Sequence, residues 1–236
     1  MKAVILAGGY GKRLKPLTDE KPKAMIEVLN RPIVEWQINW LKNNRIDDIV
    51  LCVGYLKDHI VNYIGTGSKQ GVNVYYMVED EPLGTGGALK NTETLLSNEE
   101  SFFMVNGDVL TNINPMHLKE KLTNDLVATI AVVPLPSPFG IVEIGNNSKV
   151  LGFKEKPKIT QFWINAGVYY FSKKIFNYLP KNGSMERTAF PALAQHKKLK
   201  AIKYENTFWR SIDSHKDIEE ASAEMGTLSK EASLIR

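Results

Sequence analysis

A short apolar run followed at once by clustered glycines constrains this chain more than any other feature. Ala3 to Ala7 reads as a fully buried strand, and Gly8, Gly9 and Gly11 come directly after it. Without side chains in the way, the main-chain N–H groups of such a turn can converge on an anion. Lys12, Arg13, Lys15, Lys21 and Lys23 crowd the same stretch against only Asp19 and Glu20, which suits a polyphosphate. Two familiar phosphate loops fail on spacing. The dinucleotide fingerprint, counted from Gly9, needs a third glycine where Leu14 stands, and the P-loop needs glycine at Leu6 and Ser or Thr at Arg13.

Strand and helix signals then alternate through the first half. A helix is expected from Pro32 with Val34, Ile38 and Leu41 on one face, then a strand over Ile49–Val53, a helix over Leu56–Ile64 and a strand over Val72–Val78. Thr85 is placed to cap a helix running to Leu96, and Phe102–Asn106 reads as a strand ended by Gly107 and Asp108. Such alternation predicts an α/β fold: a mixed, mostly parallel central sheet with helices on both faces and ligands bound beyond the carboxyl ends of the strands. Gly8, Gly54 and Asp108 fall just there.

The second half is richer in strands, expected over Leu126–Leu135, Gly140–Ile144, Val150–Glu155, Ile164–Phe171 and Leu199–Tyr204. A hairpin turn is expected at Asn146 and Asn147. These read as a strand-rich, substrate-side extension of the same sheet. A last helix over Lys216–Met225 closes a single domain spanning residues 1–225, with residues 226–236 as a tail.

At 236 residues and 43% hydrophobic content the chain can bury a sizeable core. One cysteine, Cys52, excludes an intrachain disulfide and, inside the apolar run Ile49–Val53, reads as a buried inert thiol. No leader pattern opens the sequence, and its longest apolar stretch, Leu126–Val133, is far short of the ~20 residues that span a bilayer. A cytoplasmic protein without a membrane partner is expected. Net charge of +4 fits any anionic small molecule, and no basic block interleaved with aromatics suggests nucleic acid.

Several residues carry chemistry. Asp108, in NGDVL, has the strand-end position of a Mg²⁺ ligand, although an Asp there also closes turns. The four histidines are scattered without zinc spacing. Glu155 lies between Lys154 and Lys156, where an alternating strand puts both lysines on one face, as a solvated edge strand would. Asn165 interrupts an apolar strand, where an unpartnered amide would cost about 1–3 kcal/mol, so a backbone group or a sugar hydroxyl is expected beside it. No nucleophile–base pair suggests covalent catalysis.

With these residues laid out, the chain resembles the sugar-1-phosphate nucleotidyltransferases, or nucleotide-sugar pyrophosphorylases. The likeness lies in motifs in the family's order: LAGGYGKRLKPLT, KPKAM, EPLGTGGAL, NGD, EKP, INAGVY and the stretch from Trp209 to Asp213. It implies a Rossmann-like nucleotidyltransferase fold, Mg²⁺ as cofactor, and a nucleoside triphosphate and a sugar-1-phosphate as substrates. It further implies Arg13 and Lys23 as the catalytic cations and Leu6, Ala7, Gly8, Gly9, Gly11, Lys12, Gly84 and Thr85 around the nucleotide. Gly140, Glu155, Lys156, Asn165 and Gly167 would form the sugar-phosphate side, and Asp108 would hold the metal. The family pattern places its second acid where Ser211 stands; Asp213, two residues on, is the expected replacement because two steps along a strand keep one face.

The segment around EPLGTGGAL, with Glu79 before it, is most similar to guanylyltransferases acting on mannose-1-phosphate or a related sugar. A carboxylate at Glu79 can accept from both the N1–H and the exocyclic amine of guanine. Uridylyl, thymidylyl and cytidylyl transfer stay open, as do a catalytically silent regulatory subunit and a homo-oligomeric state. A glycosyltransferase normally needs an acid pair after a strand, and NGDVL offers one acid.

Overall fold

The computed structural model describes residues 1–234, with side chains through Leu228. Strands and helices follow in chain order as Lys2–Leu6 (β1), Leu17–Glu20 (α1), Glu27–Val28 (β2), Arg31–Pro32 (β3), Ile33–Asn43 (α2), Asp48–Val53 (β4) and Lys57–Ile64 (α3). Asn73–Val78 (β5), Gly84–Asn91 (α4), Ser101–Asn106 (β6), Val109–Thr111 (β7) and Met116–Glu120 (α5) complete the first half. The second half contains Ala128–Pro136 (β8), Ile141–Ile144 (β9), Val150–Lys154 (β10), Lys158–Ser172 (β11), Ala189–Gln195 (α6), Leu199–Lys203 (β12), Trp209–Ser211 (β13) and His215–Leu234 (α7).

Seven strands form the central sheet in the order β12-β8-β11-β6-β1-β4-β5. β1 pairs in parallel with β4 and β6, β4 with β5, and β12 with β8, while β11 runs antiparallel to both β6 and β8. Alternation along the strands sorts side chains to two apolar layers. Ala3, Ile5, Ile49 and Leu51 pack with Val34, Ile38 and Ile60 of α2 and α3 on one face. Val4, Val50 and Cys52 pack with Leu89 of α4 and Leu193 of α6 on the other. The helices change face because the chain fills β1, β4 and β5 outward and then crosses back to place β6 on the far side of β1. Right-handed crossovers in opposite directions put their helices on opposite faces. The crevice between the ends of β1 and β6 is therefore the switch point of the sheet.

A third apolar cluster seats the glycine loop. Leu14, Ile26 and Val28 from the loop and β2 bury against Ile33, Leu110, Ile212 and Ala221, so α7 closes the bottom of that loop. Among the described residues no helix is long and apolar enough to cross a membrane.

Several expected elements differ from the observed ones. The α4 helix ends at Asn91 instead of reaching Leu96, and Thr85 lies inside it, with Leu83 at the cap position. Its hydroxyl is drawn to the Glu186 carboxylate at 2.6 Å, which leaves no side-chain cap. The last helix starts at His215 and runs on past Met225 to Leu234, so no helix end falls at residue 226. Of the second-half strands, β8, β11 and β12 join the central sheet, whereas β9 and β10 form a separate two-stranded sheet. Their turn includes Asn147 in the left-handed region, as the paired asparagines suggested. The β10 strand stops at Lys154, and Lys156 has φ 42°, so Lys154 and Lys156 do not alternate along one strand.

Candidate active site

The site is built at the switch point. Ala7, beyond the last residue of β1, still donates its N–H to the Cys52 carbonyl at 2.8 Å, so the chain leaves the sheet only at Gly8. Gly11 then turns back at φ 62°, where a Cβ would lie 2.9 Å from Thr18 Cγ2 and 3.0 Å from Lys23 Cβ. Only glycine fits that approach in the left-handed region. Leu14, fully buried, pins the following turn, which leaves Lys12 and Arg13 on the outside.

Across the crevice, β6 ends at Asn106 and the turn Gly107–Asp108 leads into β7. Gly107 donates its N–H to the Leu6 carbonyl at 3.0 Å. A Cβ on Gly107 would collide with that same oxygen, so the glycine lets the two strand ends close on each other. Asp213 arrives from the far end of the chain. β13 pairs antiparallel with β7, Ser211 opposite Val109, and Ile212 donates its N–H to the Asp108 carbonyl at 2.9 Å. The strand ends at Ser211, so Asp213 reaches the site through a turn and not by strand register. The Asp217 carboxylate fixes that turn by accepting from the N–H groups of Asp213 and Ser214 at 3.0 and 2.7 Å.

The Lys23 ammonium stands between the two acids, 2.6 Å from Asp108 Oδ2 and 2.7 Å from Asp213 Oδ1. Arg13 reaches the same Asp213 oxygen at 2.7 Å, and the Ser211 hydroxyl donates to Asp213 Oδ2 at 3.1 Å. Burial pushes the Asp213 carboxyl upward, but the hydrogen bond and charge of Lys23, with Arg13 and Ser211, outweigh it and hold the group below its ordinary value. The pair Asp108 and Asp213 thus converges on one cationic point. Two hard carboxylate donors on one point suit a small divalent cation that completes its shell with water and phosphate oxygens. No group of three or more metal-ligating side chains occurs among the described residues.

A cleft of about 290 Å³ brings together Leu6, Ala7, Gly9, Gly11, Lys12, Arg13, Lys23, Thr85, Asp108 and Asp213. Gly8 and Glu79 instead line an adjoining hollow of about 240 Å³ beside Gly54 and Tyr55. Glu79 Oε2 accepts from the Leu83 N–H at 3.2 Å, and burial raises its carboxyl above the ordinary range against that bond. Gly84 is committed to close packing, for a Cβ there would lie 2.7 Å from the Gly183 carbonyl oxygen.

The residues expected on the sugar side do not line the phosphate cleft. Gly140 and Glu155 neighbour each other, with Glu155 Oε2 only 2.9 Å from where a Gly140 Cβ would stand. Lys156 pairs with Glu155 at 3.4 Å. Asn165 is satisfied within the chain, donating to the Tyr169 hydroxyl at 2.7 Å and accepting from the Gly167 N–H at 3.2 Å. Gly167, at φ 70°, fits against Asn106 and Val109 and so ties that strand to the Asp108 turn.

Sequence reasoning missed three polar groups. Gln37 is buried in α2 and donates to the carbonyls of Asn106 and Val109; its signal was a polar residue three positions from Val34 on the apolar face. Asn106 Oδ1 is buried without a hydrogen-bond partner among the described residues. Glu186 accepts from the hydroxyls of Ser184 at 2.7 Å and of Thr85 at 2.6 Å, and the latter, 101 positions away, is a contact that no local pattern announces.

The family description "Nucleotidyl transferase" matches residues 2–227. The chain is 37% identical over 228 residues to the mannose-1-phosphate guanyltransferase of Saccharomyces cerevisiae, covering 92% of this chain and 62% of that protein. It is 34% identical over 224 residues to the mannose-1-phosphate guanylyltransferase catalytic subunit beta of Dictyostelium discoideum, with the same shares. The chain thus spans 62% of the length of these curated relatives. Among solved structures, HddC from Yersinia pseudotuberculosis complexed with GMP-PN superposes with a TM-score of 0.74 at 26% identity, covering 95% of this chain and 99% of that one. A Bacillus anthracis structure described as a glucose-1-phosphate thymidylyltransferase gives 0.76 at 26% identity, with 94% of each chain covered.

Proposed function

The chain belongs to the nucleotidyl transferase family, and on that premise we propose that it transfers a nucleoside monophosphate from a triphosphate to a sugar-1-phosphate, releasing pyrophosphate. The observation that carries this reading is the Lys23 ammonium held between Asp108 and Asp213 beside the glycine loop and Arg13. A sugar-1-phosphate has its second pKa near ~6 and arrives as an anion at neutral pH, so its oxygen can attack the α-phosphorus without a general base. The α–β phosphoanhydride bond of the triphosphate breaks as a new phosphoanhydride bond to the sugar phosphate forms, and pyrophosphate leaves. Bringing two polyanions together is then the main barrier, and cations with in-line positioning lower it.

In this reading the Gly9 and Gly11 turn faces the triphosphate, Arg13 supports the departing pyrophosphate, and Lys23 supports the α-phosphate or the sugar phosphate. Asp108 and Asp213 would hold Mg²⁺, which when bound neutralises phosphate charge. The same acids otherwise ion-pair with Lys23 and Arg13, so two cations offset the two carboxylates. The names of the relatives favour GTP and mannose-1-phosphate or a related sugar. Glu79, over Gly8 and only partly used by Leu83, is the carboxylate we assign to the guanine edge.

Pyrophosphate release measured for GTP, ATP, CTP, UTP and dTTP against mannose-, glucose-, N-acetylglucosamine- and heptose-1-phosphates tests this. The highest rate is expected with GTP and mannose-1-phosphate or heptose-1-phosphate. Turnover with UTP or dTTP and none with GTP overturns the guanine assignment; no release with any pair overturns the transferase reading.

A further inference from the structure

We infer that Gln37 is a positioning residue for the metal-binding turn, holding the Asp108 carboxylate in place from beneath. The inference rests on the reading of Asp108 as a metal ligand. Gln37 projects from the middle of α2 and is 2% exposed. Its Nε2 donates to the Asn106 carbonyl at 2.8 Å and to the Val109 carbonyl at 2.8 Å. Those carbonyls flank Gly107 and Asp108 on either side, so one amide group fastens both ends of the turn. The orientation of the amide follows from its surroundings, since a flipped group would set its oxygen against two acceptors.

Two backbone bonds also hold the turn: the Gly107 N–H donates to the Leu6 carbonyl of β1, and the Asp108 carbonyl accepts from the Ile212 N–H just after β13. The Gln37 bonds are the ones that come from the helix layer, where α2 is packed by Val34, Ile38 and Leu41 in the main core. They couple the rigid body of the fold to a turn whose only charged side chain is Asp108. Gln37 Oε1 has no partner among the described residues, so the amide is kept for its donors. Groups that orient metal ligands typically change metal affinity or activity by about 10-fold to 100-fold when removed.

Two measurements on full-length Gln37→Met test this. The Mg²⁺ concentration for half-maximal pyrophosphate release should rise about 10-fold to 100-fold, with turnover recovering at saturating Mg²⁺. In the metal-free protein, hydrogen–deuterium exchange should quicken in peptides covering residues 104–110 and stay unchanged in β4. Gln37→Glu keeps the side-chain volume and, when protonated, one donor. It should give a smaller rise, and it stands in if Gln37→Met does not fold. A folded variant with wild-type Mg²⁺ dependence and wild-type exchange over residues 104–110 overturns the inference. Asp108→Asn separates the two readings. If it leaves the Mg²⁺ dependence unchanged, the assignment of Asp108 as a ligand fails, and the exchange data alone then decide whether Gln37 clamps the turn.

Discussion

Two cations meet Asp213, and their exposures decide which of them controls it. The Arg13 side chain is 76% exposed, so its ion pair is screened by solvent, whereas Lys23 is 14% exposed and reaches both acids. Because the folded-state pKa of Asp213 is lowered, its contribution to stability is fully present above the ordinary aspartate pKa of ~3.9 and is lost as pH falls through the lower folded value. Lys23→Met removes the larger support. Carbon-detected NMR titration should show the Asp213 carboxyl moving upward, and turnover should drop about 10²-fold to 10³-fold, as when a preorganised donor is removed. An unchanged titration would show that Lys23 does not set the acid's charge. The residue types here were readable in advance from the glycine-rich opening, KPKAM and NGD. That one lysine bridges two acids 85 and 190 positions away was not, because nothing local records such a distance.

Elements carry the site only as far as their ends allow. β1 and β6 are parallel neighbours with Leu6 opposite Asn106, and the Gly107 turn closes directly on the end of β1. Gly107→Ala should therefore cost about 1–3 kcal/mol, since the added methyl forces the strand ends apart, and turnover should fall with it as Asp108 moves. Denaturant unfolding and a pyrophosphate assay on the same preparation check both effects; wild-type values in each would refute the close approach. Strand and helix identities through the first half were legible because buried strands and amphipathic helices have distinct periods. The misread elements share a cause. Thr85 has the chemistry of a cap, but Glu186 competes for its hydroxyl from a distant loop. Gly140–Ile144 and Val150–Glu155 carry strand-forming residues, yet their pattern does not say which sheet they join.

At the scale of the whole molecule, the fold is expected to stand without the proposed metal. Two apolar layers flank the sheet, and the acids of the site are already paired with Lys23 and Arg13 rather than left as uncompensated charges. Chelation with EDTA should thus abolish turnover while leaving the thermal midpoint and circular dichroism unchanged, unlike a structural metal site whose binding energy is folding energy. A large fall in the midpoint would assign the metal a structural role. Cys52, fully buried at the centre of this body and with its thiol pushed up by burial, matches the inert thiol expected of it. What the sequence determined by itself was local: the glycine turn after a buried strand, the alternation that makes an α/β sheet, and the charged residues suited to phosphate. Only the tertiary structure decided that β6 returns beside β1, that the turn after β13 brings Asp213 to the same lysine as Asp108, and that Gln37 donates from α2 to the carbonyls on either side of Gly107 and Asp108. The physical reason is that periodicity and turn chemistry act over a few residues, whereas a site at a switch point is made by crossovers whose contacts span the chain.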